Sequence, residues 1–237
     1  MRREGAARRA ARVGGWLALG LATIFLVVEL SYLARVWWWR DHNPVETAFM
    51  RASVERLRAG GKQARLQQAW MPYDRISGNL KRAVVAAEDS RFVEHEGFDW
   101  DAIEQAMERN RREGKVVLGA STISQQLAKN LFLSPERTPW RKGQEALITV
   151  MIERTMSKRR ILELYLNVIE WGDGIFGAEA AARHYFGTSA ATIGPEAAAR
   201  LAAMVPNPRF YDRNRSTRWL NRKTQVILAR MPAAELP

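Results

Sequence analysis

The stretch "LKRAVVAAEDSRF", residues 80–92, decides the fold because an apolar helical pattern in it ends in two adjacent carboxylates. Leu80, Val84 and Ala87 recur at the i, i+4 and i+7 positions of one helix face. Glu88 lies on that same face, so we expect its carboxylate to project toward the interior of the folded chain. Such a helix needs other helices to cover its apolar face.

The inward direction of Glu88 matters for chemistry because burial disfavours an ionised carboxyl and raises its pKa. General acid/base catalysis requires a group that holds or accepts a proton near neutral pH. The structural alternatives are a buried ion pair with Arg82 or Arg91, or a helix end at which the apolar stripe has already reached solvent.

Helical apolar spacing recurs farther along the chain. The residues that carry it are Ile148 and Ile152, then Ile161, Leu164, Tyr165 and Val168, and then the alanine-rich stretch that begins at Pro195. Segments that alternate like strands are scarce, and "KVVLG" at 115–119 is one short candidate. The sequence has no strand–helix–strand rhythm and no internal repeat, so we predict a mainly α fold.

A second carboxylate repeats the pattern of Glu88 in "TPWRKGQEALITVMIE", residues 138–153. Glu145 precedes Ile148 and Ile152 by three and seven residues, which places it on their apolar stripe. Two inward carboxylates on different helices are a recurring arrangement for chemistry at the anomeric carbon of a sugar. Glu88 and Glu145 are therefore the candidate catalytic residues.

The stretch "GASTISQQLAKNLFLSPERTPWRK", residues 119–142, lies between these carboxylates and combines hydroxyls, amides and cations. The candidate groups for sugar hydroxyls are Ser121, Thr122, Gln125, Gln126 and Asn130. The candidate groups for a phosphate are Lys129, Arg137, Arg141 and Lys142. The structural alternative is a polar helix start, capped by Ser121 or Thr122 and followed by a solvated basic face.

Two other patterns in the sequence resemble a dinucleotide-binding loop and a zinc site, but neither has the required context. "GDGIFG" at 172–177 has the spacing of a dinucleotide-binding loop, but the helical period before it lacks the required strand, so we predict a glycine-rich turn between helices. His42, His95 and His184 are too scattered for a structural zinc site, and the absence of cysteine excludes disulfides and thiolate metal sites.

The N-terminal region predicts a single membrane span. Residues 13–34 are apolar apart from Glu29 and are long enough to cross a bilayer. The arginines before this segment outweigh Arg35 and Arg40 after it, which predicts a cytoplasmic N-terminus and a remainder outside the cytoplasm. A cleaved signal peptide is the alternative, which the length of the segment disfavours.

The net charge points to anionic partners. Lys and Arg total 37 against 25 Asp and Glu, giving a formal charge of +12 over 237 residues. Nucleic acid, anionic lipid and phosphorylated substrates all fit this charge, which alone does not choose among them.

Five ordered stretches between about residue 80 and residue 212 resemble the motifs of the peptidoglycan glycosyltransferases of glycosyltransferase family 51. They are "EDSRFVEHEGFD" (88–99), "GASTISQQLAKN" (119–130), "RKGQEALITVMIE" (141–153), "KRRILELYLNVIEWGDGIFGAEAAARHYFG" (158–187) and "LAAMVPNPRFYD" (201–212). One N-terminal anchor without a transpeptidase domain is similar to the monofunctional branch of that family.

The resemblance implies a lysozyme-like α-helical large lobe with a smaller membrane-proximal jaw lobe, and a processive polymerase of lipid II. It further implies Glu88 as general base and Glu145 as the second glutamate, which would position a divalent cation, Mg²⁺ or Mn²⁺, or the pyrophosphate. The cations that would stabilise the pyrophosphate are Lys129 and Arg137, with Arg141 and Lys142 also lining the site.

The resemblance also implies a domain division and a location. The expected segments are a basic cytoplasmic N-terminus (1–12), the anchor (13–34), a connector and membrane-proximal segment (35–75) and the glycosyltransferase domain (76–237). The expected location is a bacterial inner membrane, with a periplasmic catalytic domain. The expected partners are lipid II, the growing glycan strand, membrane lipid, and other cell-wall synthesis or divisome proteins, but not nucleic acid.

Two other classes of protein remain as alternatives. A lysozyme-like lytic enzyme also uses an inward glutamate, but it has no leaving pyrophosphate that would require the cluster of cations. A non-enzymatic basic scaffold would bind anionic lipid or nucleic acid with strong salt dependence, and it would not need carboxylates on inward helix faces.

Overall fold

The structure is a computed structural model that describes residues 2–61, 65–115, 119–136 and 138–237, with side chains from residue 13 onward. Two compact units make up the chain, and the boundary between them lies between His42 and Asn43. The predicted strand at 115–119 falls largely on residues 116–118, which lie outside the described residues.

The first unit is one long helix, α1 (Arg2–Asp41). Val13–Asp41, a stretch of 29 residues, is long and apolar enough to cross a membrane. At a rise of about 1.5 Å per residue this stretch exceeds the roughly 30 Å thickness of a bilayer's hydrocarbon core. The predicted span at 13–34 lies within it, which confirms the prediction of one N-terminal helix that could span a membrane.

The second unit is mainly helical, as predicted. Its helices are α2 (Ala48–Ala59), α3 (Gly78–Glu88), α4 (Trp100–Glu113), α5 (Ile123–Phe132), α6 (Pro139–Thr155), α7 (Lys158–Val168), α8 (Ala178–Phe186), α9 (Pro195–Met204), α10 (Pro208–Arg213) and α11 (Arg218–Arg230). Short 3-10 helices lie before α3, at Tyr73–Arg75, and after α11, at Met231–Ala233.

The described part of the second unit also contains one small sheet. Its strands are β1 (Gln67–Gln68), β2 (Glu170–Gly172) and β3 (Ile175–Phe176), in the order β1-β3-β2. β1 pairs parallel with β3, whereas β2 and β3 form an antiparallel hairpin. The glycine-rich turn predicted at 172–177 is therefore the turn of this hairpin, between α7 and α8. Residues 43–75, predicted as part of a connector, belong to the compact unit through α2 and β1.

The helix predicted from residues 80–92 lies at the centre of the packing. α3 packs against α9 and α11, and Leu80 and Val84 are completely buried. The alanines of α9, among them Ala198 and Ala202, are also completely buried, and their small side chains let two helices approach closely. α5 packs against both α6 and α7.

Asn167, in α7, joins the chain segment before α3 to this core. The side chain is completely buried; its Oδ1 accepts a hydrogen bond from the Met71 N–H (2.8 Å), and its Nδ2 donates to the carbonyls of Met71 (2.9 Å) and Glu163 (2.8 Å). Gly177 packs directly against it: its φ is +82°, and a Cβ there would lie 2.8 Å from the Asn167 carbonyl oxygen. Asn167 thus satisfies backbone groups that are separated by about a hundred residues.

Asn167→Leu is expected to destabilise the chain by about 3 kcal/mol, because the Met71 N–H and C=O would lose their buried partners. Urea denaturation of the detergent-solubilised protein measures this loss. Asn214→Ala is the control, since Asn214 is exposed and its side chain donates to the Phe210 carbonyl of its own helix end (2.9 Å). Equal stability of the two variants would contradict the structural role of Asn167.

Candidate functional site

Glu88 is the last residue of α3, and its carboxylate is half-buried. Its Oε2 accepts a hydrogen bond of 2.8 Å from the Nε2 of Gln126, in α5. Burial raises the pKa of Glu88; the Gln126 hydrogen bond and the charges of Lys223 and Lys129 act against this shift, and the neighbouring Asp89 adds to it. The carboxylate therefore has the raised proton affinity that its position on the apolar stripe predicts.

The arginines considered as ion-pair partners of Glu88 have other positions. Arg91 pairs with Asp101 at 2.6 Å and with Asp99 at 3.4 Å. Arg82 is exposed. A neutral amide, rather than a guanidinium, thus makes the hydrogen bond to Glu88. Neither arginine therefore holds this carboxylate in its ionised form.

Asp89, next to Glu88, connects α3 to the start of α5. Its Oδ1 lies 2.9 Å from the Nε2 of His95, and its Oδ2 accepts a hydrogen bond of 2.9 Å from the Ile123 N–H. The Nδ1 of His95 accepts from the Gly97 N–H (3.1 Å), so Nε2 is the nitrogen that donates to Asp89. A carboxylate at the first turn of a helix is also favoured by the helix dipole. Asp89 therefore has a structural role, and it fixes the direction of the adjacent Glu88.

Two adjoining cavities surround these residues. The larger, about 390 Å³, is lined by Phe49, Gln126, Lys129, Asn130, Pro135, Arg141, Ile169, Glu170, Val205, Pro206, Asn207, Pro208 and Arg209. The smaller, about 180 Å³, is lined by Glu88, Ser121 and Arg230 among others. Gln126 lines the larger cavity and donates to Glu88, which lines the smaller one, so its amide links the two. The structure thus places the Glu88 carboxyl near a cavity that cations line.

Glu145 is buried in α6 and is neutralised by its own helix. Its Oε2 accepts a hydrogen bond of 2.6 Å from Arg141, and its Oε1 accepts one from the Nζ of Lys142. The side chain of Glu145 is only 4% exposed, whereas that of Lys142 is 49% exposed. Among the described residues, the buried Nε of Arg141 has no hydrogen-bond partner. Glu145 therefore holds two cations, of which Arg141 lines the larger cavity.

The described residues do not fit the predicted role of Glu145 as a metal ligand. Both of its carboxylate oxygens accept hydrogen bonds from cations, which compete with a bound metal. Nowhere in the part of the chain that the structure describes do three His, Asp or Glu side chains lie close enough to hold a metal ion. A divalent cation remains a prediction, and we derive no step from it.

The residues predicted to bind sugar hydroxyls separate into two groups. Thr122 is the N-cap of α5 and forms a capping box with Gln125; both residues are buried and stabilise the start of the helix, and Thr122 also lines the smaller cavity. Ser121 is exposed and lines the smaller cavity, while Asn130 lines the larger one and donates to the Gln126 carbonyl (2.8 Å).

The predicted cations are only partly described. Lys129 and Arg141 line the larger cavity, and Lys129 lies over the ring of Phe49 at 5.6 Å. Lys142 contacts the same glutamate as Arg141. Arg137 lies outside the described residues.

Sequence reasoning missed residues that the fold brings to the site from distant parts of the chain. Glu170 and Arg209 line the larger cavity, and Arg56 donates to Glu170 at 2.9 Å. Burial raises the pKa of Glu170, while Arg56 and Arg209 act against the shift. Lys223 comes from α11 and faces Glu88. None of these residues interrupts an apolar stripe, which was the signal that identified Glu88 and Glu145.

Comparison with known proteins places the chain among enzymes of cell-wall synthesis. A family model described as Transglycosylase matches residues 53–232. A biosynthetic peptidoglycan transglycosylase of Dechloromonas aromatica is 60% identical over 228 residues, which is 95% of this chain and 99% of the relative. Proteins of the same name from Methylobacillus flagellatus (59% identity; 94% of this chain, 97% of the relative) and Nitrosospira multiformis (58%; 92% and 94%) are also similar.

Asp89→Ala is expected to lower the free energy of unfolding by about 3 kcal/mol, because two buried donors, the Ile123 N–H and the His95 Nε2, would lose their acceptor. Urea denaturation measures the stability, and faster hydrogen exchange at the Ile123 amide would locate the change. Asp101→Ala removes an exposed carboxylate that pairs with Arg91 and should cost less than about 1 kcal/mol. Unchanged exchange at Ile123 would refute the connection from α3 to α5.

Proposed function

Because this chain belongs to the transglycosylase family, we propose that it is a peptidoglycan glycosyltransferase that polymerises lipid II into β-1,4-linked glycan strands. The observation that carries this proposal is the position of Glu88, a half-buried carboxylate with raised pKa beside a cavity that Lys129 and Arg141 line. A base next to cations suits a reaction in which an alcohol attacks and a pyrophosphate leaves.

In the proposed reaction, Glu88 accepts the proton of the 4-hydroxyl of the GlcNAc of an incoming lipid II. The freed oxygen attacks C1 of the MurNAc at the end of the growing strand. The bond from C1 to the α-linked undecaprenyl diphosphate breaks at the same time, and the leaving group takes the bonding electron pair. One displacement inverts the anomeric carbon and gives the β linkage, so no covalent bond between sugar and enzyme is required.

The departing diphosphate needs positive charge, which preorganised cations supply without further rearrangement. Lys129 and Arg141 line the larger cavity, which supports a role for both cations in binding phosphate oxygens. Glu145 would act by holding Arg141 and Lys142 in place. We assign Arg137 to the same role on the family resemblance alone.

The anchor explains how the enzyme would meet its substrates. Both the donor and the acceptor carry lipid tails, so a catalytic unit tethered by α1 would meet them at the membrane surface. We propose a single-pass protein of the bacterial inner membrane, with its N-terminus in the cytoplasm and residues 43–237 in the periplasm. Other proteins of cell-wall synthesis or division are proposed as partners.

Glu88→Gln tests the base directly, because glutamine keeps the size of the side chain but does not accept the proton. Incubating labelled lipid II with the detergent-purified protein and Mg²⁺ or Mn²⁺ should give a ladder of strands on a gel. The variant should lose activity by at least about a hundredfold, the usual scale for general bases. Its circular dichroism should match that of the unaltered chain.

The control for this experiment is Glu196→Gln, since Glu196 is exposed at the start of α9 and outside both cavities. Near-normal polymerisation by Glu88→Gln would remove Glu88 from the role of base. If the unaltered chain shortens preformed glycan and forms no ladder from lipid II, the protein is a lytic enzyme instead.

Lys129→Met tests the stabilisation of the leaving group. Methionine keeps the unbranched length of the side chain but removes the charge, so we expect turnover of lipid II to fall by about a hundredfold. Lys115→Met is the control, because Lys115 is exposed and does not line either cavity. Equal turnover by the two variants would show that Lys129 does not act on the diphosphate.

A further inference from the structure

Tyr165 is a completely buried residue of α7 that makes indirect contact with Glu88. Its hydroxyl donates a hydrogen bond of 2.8 Å to the Oε1 of Gln126. The Nε2 of the same amide donates a hydrogen bond of 2.8 Å to the Oε2 of Glu88. A phenol, an amide and a carboxylate thus form a chain of hydrogen bonds that leads from the core to the site.

This chain of hydrogen bonds matters because the two ends of the Gln126 amide are chemically different. With its carbonyl toward Glu88, the amide would set a partial negative charge against the carboxylate; with its NH₂ group there, it stabilises the ionised carboxylate. Burial raises the pKa of the Tyr165 hydroxyl well above its ordinary value, and the charges of Glu88 and Asp89 add to this shift. The phenol therefore stays protonated and donates a hydrogen bond to the amide carbonyl.

The charged groups around Glu88 come from several elements. On its own helix Asp89 is adjacent, and Lys129 of α5 and Lys223 of α11 face it. Asp99 and Arg230 line the same smaller cavity. These charges stay in place when the phenol is changed, so a change at Tyr165 acts on Glu88 through the orientation of Gln126.

We propose that Tyr165 is a positioning residue that holds the Gln126 amide with its NH₂ group toward Glu88, and so keeps Glu88 ready to accept a proton. The inference rests on the proposed function for its meaning, but the orientation of the amide is independent of the reaction. Tyr165 does not itself touch the substrate, because it is completely buried and lines neither of the cavities described above.

Tyr165→Phe tests this role, since it removes the hydroxyl and keeps the ring. Without the phenol the amide loses the donor to its Oε1, while its Nε2 keeps Glu88 and, at 3.5 Å, the Ser121 carbonyl as partners. The orientation of the amide is therefore held less strongly, and the carboxylate of Glu88 loses part of its stabilisation. The pH midpoint for protonation of Glu88 should rise by about one unit, the scale of one hydrogen bond to a charged group. It is measured from the pH dependence of labelling of Glu88 by dicyclohexylcarbodiimide, read by peptide mass spectrometry.

The same variant should show a shifted pH–rate profile for lipid II polymerisation. Its acid limb should move to higher pH by the same amount as the labelling midpoint. Turnover should fall about tenfold on that limb and return to near the unaltered value at high pH, where Glu88 is ionised in both proteins. A purely structural defect would lower the rate equally at every pH, without moving the midpoint.

Tyr185→Phe is the matched control, because it removes another phenol hydroxyl, one that donates to the Trp171 carbonyl at 2.9 Å. It should leave the Glu88 midpoint unchanged. Gln126→Leu should raise the midpoint by itself, and adding Tyr165→Phe to it should give no further rise, because the phenol acts through the amide.

The outcomes separate the two proposals. A raised midpoint in Tyr165→Phe supports the positioning role even if the unaltered chain forms no strands from lipid II, a result that would reject the polymerase alone. An unchanged midpoint, an equal rise in Tyr185→Phe, or an additional rise in the double variant would overturn the positioning role, whatever the polymerisation assay shows.

Discussion

A carboxylate that lies on a buried helix face must find hydrogen-bond donors, and the site depends on how α3 meets this requirement at its C-terminal end. Asp89 takes two donors, His95 and the first N–H of α5, and this contact sets the spacing of the two helices. Glu88, beside it, takes a single amide. The two neighbouring carboxylates thus differ in role: Asp89 fixes the structure, and Glu88 keeps a raised pKa that suits proton transfer.

The cationic wall of the larger cavity shows the opposite balance of charge. Glu145 is buried, and Arg141 and Lys142 of its own helix bind its two carboxylate oxygens, so it holds two positive charges in place. Glu88 and Glu145 look alike in sequence, since each interrupts an apolar stripe. Their neighbours separate them: a neutral amide binds Glu88, whereas two cations bind Glu145.

Much of this arrangement could be predicted from local sequence. Helical period identified α3, α6, α7 and α9, and interrupted stripes identified Glu88 and Glu145, because both signals depend on residues within a few turns of each other. Thr122 was equally a candidate ligand and a helix cap; it forms a capping box with Gln125 and also lines the smaller cavity, so its role as a ligand stays a prediction. Tyr165 was read correctly as a core residue, but composition does not reveal that its hydroxyl meets Gln126, 39 residues away. The two- and three-residue strands were missed because so short a segment has no period to detect.

The central claim is that Glu88 is the proton acceptor in glycan polymerisation, and comparison of two pH dependences in the unaltered protein tests it most directly. One is the acid limb of kcat/KM for lipid II; the other is the titration of the Glu88 carboxyl carbon, followed by ¹³C NMR in the same detergent with Glu88→Gln used to assign the signal. If Glu88 is the base, both midpoints coincide and lie above the ordinary glutamate value of about 4.3, with activity lost as pH falls through them. An acid limb that is separate from the Glu88 titration would show that another group accepts the proton.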